Sequence, residues 1–284
     1  MTAVEVCVVG SVNLDVVVSV PHHPAPGETV LGGDRAEHHG GKGANQAVAA
    51  ARAGRRVAFV GRVGSDEIGA RLRAELEREG IDVTYLGTDP HASSGVALIA
   101  VDATGENTII VSPGANGRVG ADDVAAAADI LEQARVTLLG HEVGQAAVAA
   151  AAQRASGLVV LNPAPARAVT GDVLARVDVL VPNRGELAAL AGGDGDPAQL
   201  AARLGRPTVV TLGAQGALVV ADGHSEPIPA PTVDVVDTTG AGDAFCGALA
   251  AALAGGAELT EAARAAVAAA ARSVTYAGAR PATP

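Results

Sequence analysis

The stretch VAFVGRVGSDEIGARLRAELEREG, Val57 to Gly80, holds one complete strand-to-helix unit. Val57–Val60 is a short apolar run of the kind that fills a buried strand. Ser65 then reads as the N-cap of a helix over Asp66–Glu79, with Gly80 as its C-terminal stop. The same rhythm returns along the chain. Strand-like runs at Val4–Gly10, Val136–Leu139, Leu158–Leu161, Val177–Val181 and Thr208–Leu212 alternate with alanine-rich helical runs, among them Ala44–Ala53 before Gly54 and Glu261–Arg272 behind Thr260 as N-cap. Strands separated by helices require a mainly parallel sheet covered on both faces, so the sequence predicts an α/β fold.

Two regions break the alternation. Asp15–His39 carries DVVVSV, a proline-rich turn and a second extended piece, and Gly95–Ser112 reads as a hairpin turning at Ala103–Glu106. Strands without intervening helices inside an α/β chain predict a small separate sheet, placed to serve as a lid.

Composition narrows the function. The net charge of −11 argues against nucleic acid or an anionic membrane as partner. Aromatic residues make up 1% of the chain, so a ligand would be held by hydrogen bonds and charge rather than stacking. Cys7 and Cys246 have no paired spacing and read as core thiols in a reducing compartment; the N-terminus has no basic leader pattern, and the expectation is a cytoplasmic protein. Lys42 is the only lysine among 20 basic residues, and it sits in GGKGAN, where the wide fork of arginine would crowd the turn.

Polar residues gather where parallel strands should end. Asn13 and Asp15, two apart, share a face in an extended segment and suit adjacent sugar hydroxyls or plain solvation. Gly40–Gly43 before a helix offers backbone N–H groups to an anion or merely makes a tight turn, and Asn45 could cap or bind. Glu142 follows the strand at 136–139. Asn183 and Glu186, at i and i+3 behind the strand at 177–181, could hold a hydrated Mg²⁺, although a helix cap with its acidic first turn explains the spacing better. Thr211–Gly216 is an ordinary hairpin turn or a nucleotide bed. His22-His23 and His38-His39 read as solvated, because neighbours on a strand point to opposite faces. In VDTTGAGDAF, residues 236–245, Asp243 is either a helix-start acid with a lowered pKa or the carboxylate of a phosphoryl transfer, with Gly240, Ala241 and Gly242 supplying N–H groups.

Together GSVNLD, PGE, GGKGANQA, SSGVALI, GEN, PGAN, LNPAPAR, PN-x-x-E, TLG-x-x-G and DTTGAGDAF resemble, in order and over essentially the whole chain, the ribokinase family of carbohydrate kinases. The resemblance implies a three-layer α/β/α core of residues 1–14, 37–92 and 113–284 with a small β lid of residues 15–36 and 93–112, and ATP-dependent phosphorylation of D-ribose at O5. It implies Asp243 as base, Gly240–Asp243 as anion hole, and a pentose held by Asn13, Asp15, Gly41, Lys42, Gly43, Asn45 and Glu142. ATP would lie on Asn183, Thr211, Gly213, Ala214, Gln215, Gly216 and Gly242, with Val267 where many relatives place a polar residue near adenine. Glu186 would organise Mg²⁺ through water. Asp237 and Thr239, with carbonyls near Ser273, Tyr276, Gly278 and Ala282, would bind a monovalent cation, K⁺. The lid strands imply a homodimer. A nucleoside or other pentose or hexose kinase of the superfamily, and a non-catalytic sugar-binding regulator, are the alternatives.

Overall fold

The computed structural model describes residues 3–280. In chain order the strands are β1 (Val6–Val9), β2 (Asn13–Ser19), β3 (Arg35–Gly40), β4 (Val57–Gly64), β5 (Leu86–Asp89), β6 (Gly95–Val101), β7 (Asn107–Ser112) and β8 (Val136–Gly140). They continue as β9 (Leu158–Asn162), β10 (Val179–Leu180), β11 (Thr208–Thr211), β12 (Ala217–Ala221) and β13 (His224–Ile228). The helices are α1 (Lys42–Arg52), α2 (Glu67–Arg78), α3 (Ala121–Ala126), α4 (Ala128–Gln133) and α5 (Gln145–Arg154). They are followed by α6 (Gly171–Arg176), α7 (Arg184–Ala191), α8 (Pro197–Arg203), α9 (Ala241–Ala254) and α10 (Leu259–Ser273).

Among the described residues one sheet runs β13-β12-β11-β10-β9-β8-β1-β4-β5, parallel throughout except where β12 and β13 turn back at one edge. Two apolar layers flank it. Val6, Val8, Phe59 and Leu138 face α1, α9 and α10 on one side, and Cys7, Val9, Leu139 and Leu161 face α3–α6 on the other. With few aromatics, Val, Leu and Ala fill these layers, and the closely packed α9 and α10 are alanine-rich accordingly. Both cysteines are buried free thiols. No helix among the described residues is long and apolar enough to cross a membrane.

A second sheet, β3-β2-β6-β7, stands apart from the first. Its register places Asn13, Gly95 and Gly40 side by side on β2, β6 and β3, and Asp15 beside Ala97 and His38. The 95–112 hairpin forms as the sequence predicts, with Asp102 Oδ1 accepting N–H groups from Thr104 and Glu106 around Gly105.

Several boundaries move. The cap of α2 is Asp66 rather than Ser65, because its carboxylate reaches Gly69 N at 2.8 Å while also accepting from Ser94 N and Oγ. The last long helix starts behind Glu258, ahead of Thr260, and α1 starts at Lys42, straight after the positive φ of Gly41. The strand expected over 177–181 pairs only at Val179–Leu180.

Candidate active site

From β1 the chain passes to β4 on one side, while β8 packs on the other, so the strand order reverses beside the carboxyl ends of β1 and β8. Open parallel sheets bind ligands in the crevice at such a reversal. Here Ser11 Oγ, just past β1, donates to Glu142 Oε2, just past β8, and the same oxygen accepts the Lys42 N–H at 3.0 Å. Asn13 is 4% exposed, and its Oδ1 accepts from Asn116 Nδ2 at 2.7 Å. Asn116 also bridges both backbone polar groups of Val12.

The glycines before α1 have separate structural reasons. Gly41 holds φ 86°, and a Cβ on Gly43 would sit 2.7 Å from both Gly10 Cα and Ser11 N. That residue is therefore glycine so that α1 can seat its first turn on the end of β1. A Cβ on Gly40 would overlap the Asp15 carboxylate. By contrast, a Cβ on Gly242 would meet nothing within 4 Å.

Asp243 lies in the first turn of α9, behind Gly240, whose φ of 74° turns the chain into the helix. Its carboxylate accepts from Asn45 Nδ2 on Oδ2 and from Gln46 Nε2 on Oδ1, both at 3.0 Å. Helix entry would lower its pKa, as the sequence reading expects, but burial pushes it up and wins against the Lys42 ammonium and these two amides. Burial likewise lifts Asp15 to about 6, with Arg280 opposing and Glu142 and Asp243 adding to the rise. Lys42 answers this cluster: burial alone would lower its pKa, but Asp243, Glu142 and Glu186 together raise it. Asp15, Lys42, Asn45, Glu142 and Asp243 thus form one interacting polar cluster beside the reversal, with Asn13 two residues before Asp15 on β2.

A cleft of about 540 Å³ opens at the α9 N-terminus. Thr211, Gly213, Ala214, Gly216, Gly242 and Val267 line it, with an apolar wall from Val235, Phe245 and Val274. Gln215 is turned away, its Oε1 accepting from Arg184. Asn183 neighbours Thr211 through a β-bridge, but its side chain caps α7, accepting from Glu186 N while Glu186 Oε2 accepts Asn183 N, each at 2.8 Å. The capping explanation of that pair is realised. Burial still raises the Glu186 carboxyl, partly offset by the Asn183 N–H and by Lys42. Of the turn before α9, the Ala241 N–H already donates to the Thr238 carbonyl, leaving Gly242 and Asp243 as the first-turn donors at the cleft.

Behind this turn, Asp237 Oδ1 accepts Thr239 N and Oδ2 accepts Gly278 N, both at 2.8 Å. Burial would raise Asp237, but these hydrogen bonds outweigh it and hold the carboxyl below its usual range. The Val236 and Asp237 N–H groups both reach the Val274 carbonyl, so the loop after Ser273 is tied to the 236–240 turn. Tyr276 lies in that loop with an exposed ring; Ala282 lies outside the described residues. No group of three or more His, Cys, Asp or Glu side chains gathers as a metal cage among the described residues, the histidine pairs included.

The sequence reading assigned no role to Ser11, Gln46, Asn116, Asn162 or Arg280. Asn162 Oδ1 accepts from Gln46 and its Nδ2 donates to the Val181 carbonyl at 2.8 Å. Arg280 donates from Nε to Asn45 Oδ1 at 2.7 Å and from Nη2 to the Gly40 carbonyl at 2.9 Å. A Gln or Asn bordering an apolar run is the available sequence signal for Gln46 and Asn162; Ser11, Asn116 and Arg280 carry none.

A family profile described as "pfkB family carbohydrate kinase" matches residues 3–284. The chain is 41% identical to a ribokinase of Haemophilus influenzae over 98% of this chain and 94% of that one. The fold superposes on a ribokinase from Thermotoga maritima with a TM-score of 0.91 at 36% identity, covering 97% of this chain and 94% of the other. It also superposes on an Arabidopsis thaliana ribokinase complexed with ribose and ATP, with a TM-score of 0.89 at 31% identity, covering 98% and 95%.

Proposed function

The chain belongs to the pfkB family of carbohydrate kinases, and we propose that it transfers the γ-phosphoryl group of ATP to O5 of D-ribose. The observation that carries this reading is the position of Asp243. Its carboxylate is bonded to Asn45 and Gln46 and interacts with Asp15, Lys42 and Glu142, while its chain neighbour Gly242 lines the cleft with Thr211, Gly213 and Gly216.

The pentose lies in the crevice with its terminal hydroxyl at Asp243, and ATP lies in the cleft with its phosphates toward α9. The hydroxyl oxygen attacks the γ-phosphorus as the bond to the β,γ-bridging oxygen breaks. The proton passes to an Asp243 oxygen, and ADP leaves. In a loose transition state proton acceptance comes late, so the Asp243 carboxylate needs only to orient the hydroxyl and take its proton as the bond to phosphorus forms, and burial, which raises its pKa, favours the protonated product of that step. The Gly242 and Asp243 N–H groups and the helix dipole stabilise the charge on the transferring group. Lys42 offsets the carboxylates around the sugar.

Two metal ions complete the reading. One acidic side chain, Glu186, suits a Mg²⁺ held mainly by phosphates and water, which would neutralise phosphate charge. Asp237 is kept ionised inside a loop of backbone groups, the donor set for a monovalent cation; with Thr239 and the carbonyls of the 273–278 loop it would hold K⁺, a fixed positive charge behind the helix start. The second sheet acts as lid. On one face it exposes Leu98 and its cross-strand partner Ile110, an apolar surface that a second copy covers in a homodimer.

The test is a panel of ribose, 2-deoxyribose, fructose and nucleosides with ATP, with and without K⁺. Preferential consumption of ribose, and ribose 5-phosphate as product, is expected. A nucleoside preferred to every free sugar would move the chain to another branch of the family, and no ATP consumption with any acceptor would leave only a sugar-binding protein.

A further inference from the structure

We infer that Arg280 is a positioning residue that fixes the orientation of the Asn45 amide and, through it, the Asp243 carboxylate. The inference rests on the kinase reading for what Asp243 does, and on geometry alone for the rest.

An amide side chain presents an acceptor at one end and a donor at the other, and nothing in its own shape decides which end faces a neighbour. At Asp243 the choice is forced from behind. Arg280 Nε, 2.7 Å from Asn45, can only donate, so the Asn45 atom facing it must be Oδ1, which leaves Nδ2 to donate to Asp243 Oδ2. The second amide is fixed in a parallel way. The Val181 carbonyl can only accept, which sets Asn162 with Oδ1 toward Gln46, and Gln46 Nε2 then donates to both Asn162 Oδ1 and Asp243 Oδ1. Each carboxylate oxygen is therefore held by a chain of hydrogen bonds ending in a group that cannot be reversed. Of those two ends, only Arg280 is a side chain.

The placement of the guanidinium shows that it is held for this purpose. Its Nη1 is buried without a partner among the described residues. Burying a cation so incompletely satisfied is costly, and a merely space-filling side chain would avoid it. Its second bond, from Nη2 to the Gly40 carbonyl, pins it to the loop that enters α1. Its own segment is pinned too: Gly278 N donates to Asp237, and Ala279 lies where a Cβ on Gly240 would have to go.

The test compares the wild-type chain with Arg280→Met, Arg280→Gln, Asn45→Ala and the double variant R280M/N45A, using Arg264→Met, at an exposed pair, as control. R280M should lose about tenfold to a hundredfold in kcat, the scale of one hydrogen bond to a charged group, with KM for ATP little changed. R280Q, which retains one N–H donor, should recover part of the loss and covers the case in which the methionine variant fails to fold. In the N45A background R280M should add nothing; losses that multiply, or an R280M enzyme with wild-type kcat, would overturn the inference. Independently of turnover, the ¹⁵N side-chain amide signal of Asn45 should shift in R280M and not in R264M. If wild type phosphorylates no sugar, the kinase reading fails while this signal still decides whether Arg280 orients Asn45.

Discussion

Replacing Asp243 by Asn changes a single atom in outline, but the site around it is built for two acceptors. Asn45 Nδ2 and Gln46 Nε2 both point donors at the carboxylate from 3.0 Å, and neither amide can turn round without breaking its bond to Arg280 or Asn162. An asparagine offers one oxygen and one NH₂, so one donor must face another donor, a loss of about 1–3 kcal/mol for a buried unpaired group. Against this, the variant no longer carries a charge that burial disfavours. The two effects oppose, and the thermal midpoint should stay within about 5 °C of wild type. Catalysis has no such compensation. With no group to take the hydroxyl proton, kcat should fall by about 10²-fold or more, while KM for sugar and ATP changes only a few-fold. The assay is ADP release coupled to NADH oxidation at saturating ribose and ATP, beside calorimetric binding of ribose. A D243N enzyme turning over within about tenfold of wild type would refute the assignment of Asp243 as base.

Three further outcomes follow from the same geometry. Lys42→Arg keeps the charge but puts a wider head among Glu142, Asp243 and Glu186, so KM for ribose should rise with little change in stability; an unchanged KM would show that arginine fits. Gly43→Ala should overpack the contact with Gly10 and cost about 1–3 kcal/mol of stability, whereas Gly242→Ala, facing open space, should melt like wild type and lose turnover by placing a methyl at the anion donors; the reverse pattern would overturn both roles. For Asp15 the folded carboxyl titrates near 6 against 3.8 for the ordinary group, so the neutral form's contribution to stability is complete below about pH 4 and lost as pH rises through about 6. Asp15→Asn should therefore melt higher than wild type at pH 7, by on the order of 2 kcal/mol, and gain less on acidification to pH 5; identical pH responses in thermal melts would refute this.

What was readable in the chain was whatever is decided locally. The strand-to-helix alternation predicts the layered core because each element's period is its own property, and the Asn183–Glu186 spacing reads correctly as a cap for the same reason. Caps were misplaced where a distant group decides: Asp66 displaces Ser65 because Ser94, 28 residues away, shares its carboxylate. The network around Asp243 lay further from view. Gln46, Asn162 and Arg280 come from three separated segments, and nothing in their local sequence says that their polar ends meet. The rise in the Asp243 pKa is of the same kind, since helix entry is local and burial is not.

The solitary lysine also has a practical use. To an amine-selective acylating reagent the chain offers one side-chain amine, Lys42, besides the amino terminus. Protected against acylation to the degree that the crevice is filled, Lys42 makes the native enzyme its own occupancy reporter, readable by mass spectrometry on unmodified protein without any introduced label.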